Sequence, residues 1–202
     1  MFTDLCDLNL PDSTMIKIAI FASRSGSNAA AICDYFKGRD QIKIALIVTN
    51  NPHAGVIDRA VERGIPTVKI DKARLISPDF ETYLKEKMAI DYIVLAGFLK
   101  QIPSNLISAY RDKILNIHPS LLPKYGGKGM YGMRVHRAVS EAKEEVTGLT
   151  IHLVDEEYDR GRPLFQKKVA IAPGEDPESI AAKVLKLEHY HYPRTIEQYI
   201  LT

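Results

Sequence analysis

Three stretches of this chain group side chains that could do chemistry together. The first is Asn116-Ile117-His118-Pro119-Ser120-Leu121-Leu122-Pro123. On an extended strand, residues two apart project to one side, so the Asn116 amide and the His118 imidazole can aim polar groups at one point. The alternative is a turn-capping Asn116 and an interior, satisfied His118. The second stretch is Ile151-His152-Leu153-Val154, followed by Asp155-Glu156-Glu157-Tyr158-Asp159-Arg160-Gly161. Asp155, Glu156 and Glu157 read as a solvated turn. Asp159, close to Gly161 at an expected backbone reversal, is the carboxylate that could sit beside His118, favour its charged form and receive a proton. His152 and these carboxylates lack the spacing of a zinc or EF-hand site, so no metal is expected. The third stretch, Ser23-Arg24-Ser25-Gly26-Ser27-Asn28, lies where a strand meets a helix. Free N–H groups and the helix dipole there favour an anion. It is neither GxGxxG nor GxxxxGK[ST], so a phosphate turn and a plain βα turn both fit, and no dinucleotide claim follows.

The elements that must position these residues follow a βα rhythm. Residues 17–21, 42–48, 67–70, 92–96 and 114–117 read as strands, and 28–36, 55–63 and 79–88 as helices, with a short helix after Pro103. Ser77 and Pro78 supply an N-cap and a first residue for the helix that places Phe80, Tyr83, Leu84 and Met88 on one face. Alternating strands and helices predict a parallel sheet, whose ligands gather beyond the carboxyl ends of its strands. Residues 147–154 and 164–172 look like an antiparallel pair, and Asp176-Pro177-Glu178 opens a long helix expected to break near Pro193. Residues 1–14 read as a flexible extension and 15–202 as one domain.

Composition narrows the function. With 202 residues, 46% hydrophobic and 26% charged, the chain is an ordinary globular protein able to bury a sizeable core. The net charge of +2, from 27 basic and 25 acidic residues scattered along the chain, argues against a nucleic-acid surface. No apolar run approaches a membrane span, and the acidic start lacks the features of a signal or transit peptide, so a cytoplasmic protein is expected. Cys6 and Cys33 read as two reduced thiols.

Taken with Leu95-Ala96-Gly97-Phe98 and with Glu188-His189 ahead of Tyr192-Pro193, these stretches resemble the phosphoribosylglycinamide formyltransferase family, folate-dependent enzymes of purine synthesis, over residues 16–200. The resemblance implies a doubly wound, mostly parallel, Rossmann-like α/β sheet with an antiparallel C-terminal extension. It implies formyl transfer from 10-formyltetrahydrofolate to the amine of glycinamide ribonucleotide, with no metal, no nucleic-acid partner, and a monomer or homodimer. Asn116, His118 and Asp159 match the catalytic trio, and Gly26, Ser27 and Asn28 the phosphate turn. Glu188 matches the ribose-binding acid, and Phe98, Leu99, Lys100, Gln101 and Ile102 the folate-pocket wall. His136 corresponds to a histidine beside that pocket and His152 to one supporting the trio.

The chain departs from the family pattern at Lys100, where arginine is common, and at Arg160 and Arg162, in a turn more often rich in Gly and Pro. Its link over residues 126–133 is also longer, with four glycines, and reads equally as a lid or a surface insertion. A formyltetrahydrofolate deformylase, a sugar-nucleotide formyltransferase, or a non-catalytic folate- or nucleotide-binding module are the alternatives. Methionyl-tRNA formyltransferases carry a further RNA-binding domain that this chain lacks a match for.

Overall fold

The parallel half of the sheet forms because its strands are apolar on both faces. In the computed structural model, which describes residues 15–202, β1 (Ile16–Phe21) sends Ile18 and Ile20 to one side of the sheet and Ala19 and Phe21 to the other, all fully buried. Such double burial is what a parallel sheet covered by helices requires. β2 (Ile42–Thr49), β3 (Thr67–Lys69), β4 (Tyr92–Leu95) and β5 (Ile114–His118) join β1 in parallel, and β6 (Val146–Leu153) and β7 (Pro163–Ala170) continue the sheet antiparallel. The order is β3-β2-β1-β4-β5-β6-β7. The doubly wound sheet and its antiparallel extension are therefore as expected. The expected extension over residues 1–14, with Cys6, lies outside the described residues.

Helices cover both faces. α1 (Ser27–Phe36), α2 (Val56–Glu62) and α7 (Pro177–Leu201) pack on the side of Ile18 and Ile20, and α3 (Lys72–Ile76), α4 (Pro78–Thr82) and α5 (Ser104–Ala109) on the side of Phe21. Cys33 on α1 is a free thiol that burial pushes up to about 12. No helix among the described residues is long and apolar enough to cross a membrane.

The structure differs from the sequence pattern in four places. α3, capped by the Asp71 carboxylate on the Arg74 N–H, had no predicted counterpart. The helix expected over 79–88 is capped by Ser77 as anticipated, but widens after Thr82 into a π turn (Tyr83–Lys87), in which Met88 N–H bonds the Tyr83 carbonyl. The wider turn keeps Phe80 and Leu84 buried while Ala89, at φ +51°, turns the chain into β4. α6 (Met133–Glu141) follows a segment read only as a link. Finally, α7 runs unbroken through Pro193. Tyr192 shares its hydroxyl between the carbonyls of Leu95 and Leu115, at 3.0 and 3.1 Å, and with Ile196 and Ile200 is buried. That burial outweighs the roughly 3 kcal/mol that proline costs inside a helix.

The Tyr192 hydroxyl thus ties the last helix to the ends of β4 and β5. Tyr192→Phe should leave both carbonyls without this donor and lower unfolding free energy by about 1–3 kcal/mol, read from urea denaturation with an unchanged m-value.

Candidate active site

The antiparallel arrival of β6 beside β5 builds the chemical centre, because its register sets Asn116 directly across from His152. His152 Nδ1 donates to the Leu153 carbonyl at 2.7 Å, so its Nε2 accepts one Asn116 amide hydrogen at 3.0 Å. The amide is thereby oriented, and its second N–H is left to donate elsewhere. His118, two residues along β5, is 4% exposed. Its Nε2 donates to the Tyr125 carbonyl at 2.8 Å, which turns Nδ1 toward Asp159.

Asp159 closes the group from the β6–β7 connection. Its Oδ2 lies 3.5 Å from His118 Nδ1, its Oδ1 3.6 Å from His152 Nε2, and Oδ2 accepts the Gly127 N–H at 2.8 Å. The expected reversal is real: Asp159 has φ +56°, and at Gly161 a Cβ would stand 1.9 Å from the Leu153 carbonyl oxygen, so only glycine lets the connection return against β6. Burial alone would raise the Asp159 carboxyl, but His152, His118 and the Gly127 N–H hold it below its ordinary value.

One electrostatic expectation is corrected. Burial lowers the affinity of His118 for its proton, and this outweighs the opposing pull of Asp159, so Asp159 does not hold His118 charged in the unliganded protein. His136 on α6 is pushed down to about 4 by burial and by the neighbouring His118, and its Nδ1 is buried without a partner.

A cleft opens beside the trio, lined by Leu95, Lys100, Gln101, Ile102, Asn116, His152, the 154–158 turn and Asp159. Lys100, Gln101 and Ile102 thus stand where the folate wall is expected. Phe98 does not, because it packs edge-on against Phe21 at 5.3 Å. Leu99 and His136 are also absent from the lining, although the Leu99 N–H bonds the Ser23 hydroxyl. Asp155, Glu156 and Glu157, expected only as a solvated turn, form part of the cleft wall.

The turn before α1 has its own logic. Gly26 sits at φ +73°, and a Cβ there would fall 2.6 Å from Val56, so the turn can lie against α2 only with glycine at this position. Ser25 offers its carbonyl to Arg59 Nε at 2.8 Å, and the first turn of α1 carries no acidic residue and no side-chain cap. Asn28 donates to Glu188 at 2.6 Å, linking this turn to α7. Glu188 is 7% exposed, and burial, partly offset by Asn28, pushes its carboxyl up to about 7.

Several participants had no signal in the sequence. Tyr125 and Gly127 act through backbone groups, which any residue supplies. Thr150, fully buried, donates to the Ser120 carbonyl at 2.7 Å and accepts the Leu122 N–H at 3.0 Å, fixing the loop after His118. Ser120 spends its own hydroxyl on the Lys124 carbonyl at 2.7 Å and is no nucleophile.

Glu188 makes stability depend on pH. A carboxyl whose folded value is raised from 4.5 to about 7 keeps its proton in the folded state across that window and loses it on unfolding, so its contribution fades as pH rises. The buried histidines act in the opposite sense, so the measurement is the difference between wild type and Glu188→Gln. The two should match near pH 4.5 and diverge by about 3 kcal/mol in favour of the glutamine variant near pH 8, in urea denaturation without ligand.

Comparison with known proteins gives the constellation a lineage. Residues 16–196 match the formyl transferase family model. The chain is 40% identical over 186 residues to a chloroplastic phosphoribosylglycinamide formyltransferase of Arabidopsis thaliana, covering 89% of this chain but only 64% of that relative's length. With the phosphoribosylglycinamide formyltransferase of Bacillus subtilis it is 37% identical, over 91% of this chain and 94% of the relative. The crystal structure of glycinamide ribonucleotide transformylase 1 from Geobacillus kaustophilus superimposes with a TM-score of 0.80 at 37% identity, over 90% of this chain and 97% of the other. A match this long, on a sheet of the same build, means that the chain belongs to the formyl transferase family.

Proposed function

We propose that this protein transfers a formyl group from 10-formyltetrahydrofolate to the primary amine of glycinamide ribonucleotide, giving formylglycinamide ribonucleotide and tetrahydrofolate in purine synthesis. The observation that carries the reading is one cluster in which Asp159 faces His118 and His152, His152 holds the Asn116 amide, and Asn116, His152 and Asp159 line one cleft with His118 buried behind it. The pteridine end of the folate enters that cleft along Lys100, Gln101 and Ile102. The nucleotide's phosphate sits on the Gly26, Ser27 and Asn28 turn, and Glu188 accepts hydrogen bonds from the ribose hydroxyls. The free, buried thiol of Cys33 suits a reducing compartment such as the cytoplasm.

The neutral state of His118 in the unliganded site gives the proton a route. The substrate amine is an ammonium ion at neutral pH and must lose a proton before it can attack. Asp159, facing both the incoming amine and His118 Nδ1, passes that proton to the imidazole, so that nucleophile and imidazolium form in one step. The amine nitrogen then bonds to the formyl carbon, the carbonyl π pair moves onto oxygen, and the oxyanion accepts hydrogen bonds from the free Asn116 N–H and from His118 Nδ1. A second proton passes from the attacking nitrogen, through Asp159 or a water beside it, to the departing folate nitrogen as its bond to carbon breaks. The proton left on His118 returns to solvent.

The test is incubation of purified protein with both substrates, following release of tetrahydrofolate, with a parallel run lacking the nucleotide. Turnover should require the nucleotide. Release without it would identify a deformylase, and release in neither run would leave only a binding module. Asp159→Asn keeps an acceptor for the Gly127 N–H but cannot take a proton, and should lower kcat by about 10²–10³-fold. An unchanged kcat would exclude the proton route through Asp159.

A further inference from the structure

The glycine-rich link after the trio reaches the phosphate turn and brings positive charge to it. Tyr131, at the end of that link, lies between two guanidinium groups, Arg24 from the turn at 5.6 Å and Arg134 from the first turn of α6 at 5.0 Å, measured to its ring centre. Arg24 Nη1 also lies 3.2 Å from where a Cβ on Gly132 would stand, so the link must be bare at that point for the guanidinium to fit. Both arginines are exposed, and neither has a carboxylate partner among the described residues, although Arg134 Nη1 reaches the Gly129 carbonyl of the link at 3.5 Å. Arg59, the third guanidinium at the turn, is already occupied by the Ser25 carbonyl.

Two like charges gathered on one aromatic ring repel each other, and a cation–π contact at an exposed site returns only about 0.5–1 kcal/mol. An oxyanion set between them removes the repulsion and offers acceptors that match the guanidinium fork. We propose that Arg24 and Arg134, mounted on Tyr131, form the cationic half of the acceptor's phosphate site, so that the 126–132 link makes the enzyme selective for a phosphorylated amine. This rests on the function proposed above and adds residues to it, since the Gly26-Ser27-Asn28 turn supplies only N–H groups and an amide. The occupant is a phosphomonoester dianion.

Arg24→Gln and Arg134→Gln, both surface changes, test this in two ways. In the kinetic arm, each should raise KM for glycinamide ribonucleotide roughly tenfold with kcat nearly unchanged, and leave KM for the dephosphorylated glycinamide riboside unaltered. In the binding arm, which needs no turnover, inorganic phosphate should raise the melting temperature of the wild type relative to chloride at equal ionic strength, and this protection should be lost in both variants. Phosphate protection that depends on the two arginines, in a protein that does not turn over, would uphold the site and overturn the formyl-transfer reading. Normal turnover with unchanged nucleotide KM and unchanged phosphate protection in both variants would overturn the site. So would an equal rise of KM for the riboside, which would mark a merely structural role.

Discussion

A partly buried carboxylate facing two imidazoles is the constraint on which the site depends. Asp159 stays below the ordinary carboxyl range against a burial penalty that would otherwise favour its neutral acid, with the Gly127 N–H donating to Oδ2 and any proton in the cluster shared with His118 and His152. A carboxylate removed from water in this way needs all its partners in place at once. The cluster therefore fixes three separate pieces of chain with respect to one another: the end of β5, the start of the 126–132 link and the β6–β7 connection. The left-handed backbone at Asp159 and the glycine-only approach at Gly161 are local strains that this pairing and the β6–β7 ladder hold in place.

Burial also sets the direction of proton flow. A His118 already charged in the resting protein could stabilise an oxyanion but could not relieve the substrate of its extra proton. With burial winning over Asp159, the imidazole rests able to accept, and in the proton route proposed above the charge it later donates with is the one the substrate brought. His136, pushed lower still, stays neutral beside it and adds no competing charge. The same environment therefore suppresses the ion before substrate arrives and strengthens its hydrogen bonds after water has been displaced.

The parts of this architecture legible in the sequence are those written in side chains. The apolar strands, the Ser77 and Asp176 caps and the antiparallel turn at β6–β7 all follow from local pattern, because hydrophobic alternation and capping chemistry act over a few residues. Asn116 and His118 stand out because polar groups at the end of an apolar strand need a reason to be there. What escaped was set by distant packing or by backbone. The continuity of α7 through Pro193 depends on Tyr192 reaching β4 and β5, separated from it by 97 and 77 residues in the chain. Phe98 lies next to a glycine at φ +78°, which turns its ring into the core against Phe21 instead of into the cleft. The neutral His118 likewise could not be read from a nearby Asp, because the outcome is a balance between burial and charge that only the fold decides.

The 126–132 link shows how chemistry and recognition come to share a single segment. At one end the Tyr125 carbonyl fixes the His118 ring and the Gly127 N–H fixes Asp159, while at the other Tyr131 lies against Arg24 of the turn before α1. The first end is anchored outside the cleft as well, since Tyr125 and Lys124 both bond Glu144. Gly126 has no room for a side chain, because a Cβ there would stand 2.5 Å from Leu122 and 3.2 Å from Asp159. The start of the link is thus tied to the cluster, while Lys128 and Gly129 stay exposed. Its glycines let the backbone lie close enough to the catalytic groups to bond them directly, and its aromatic end spans the distance to the turn. The same short segment therefore touches both the turn before α1 and the cluster around Asp159.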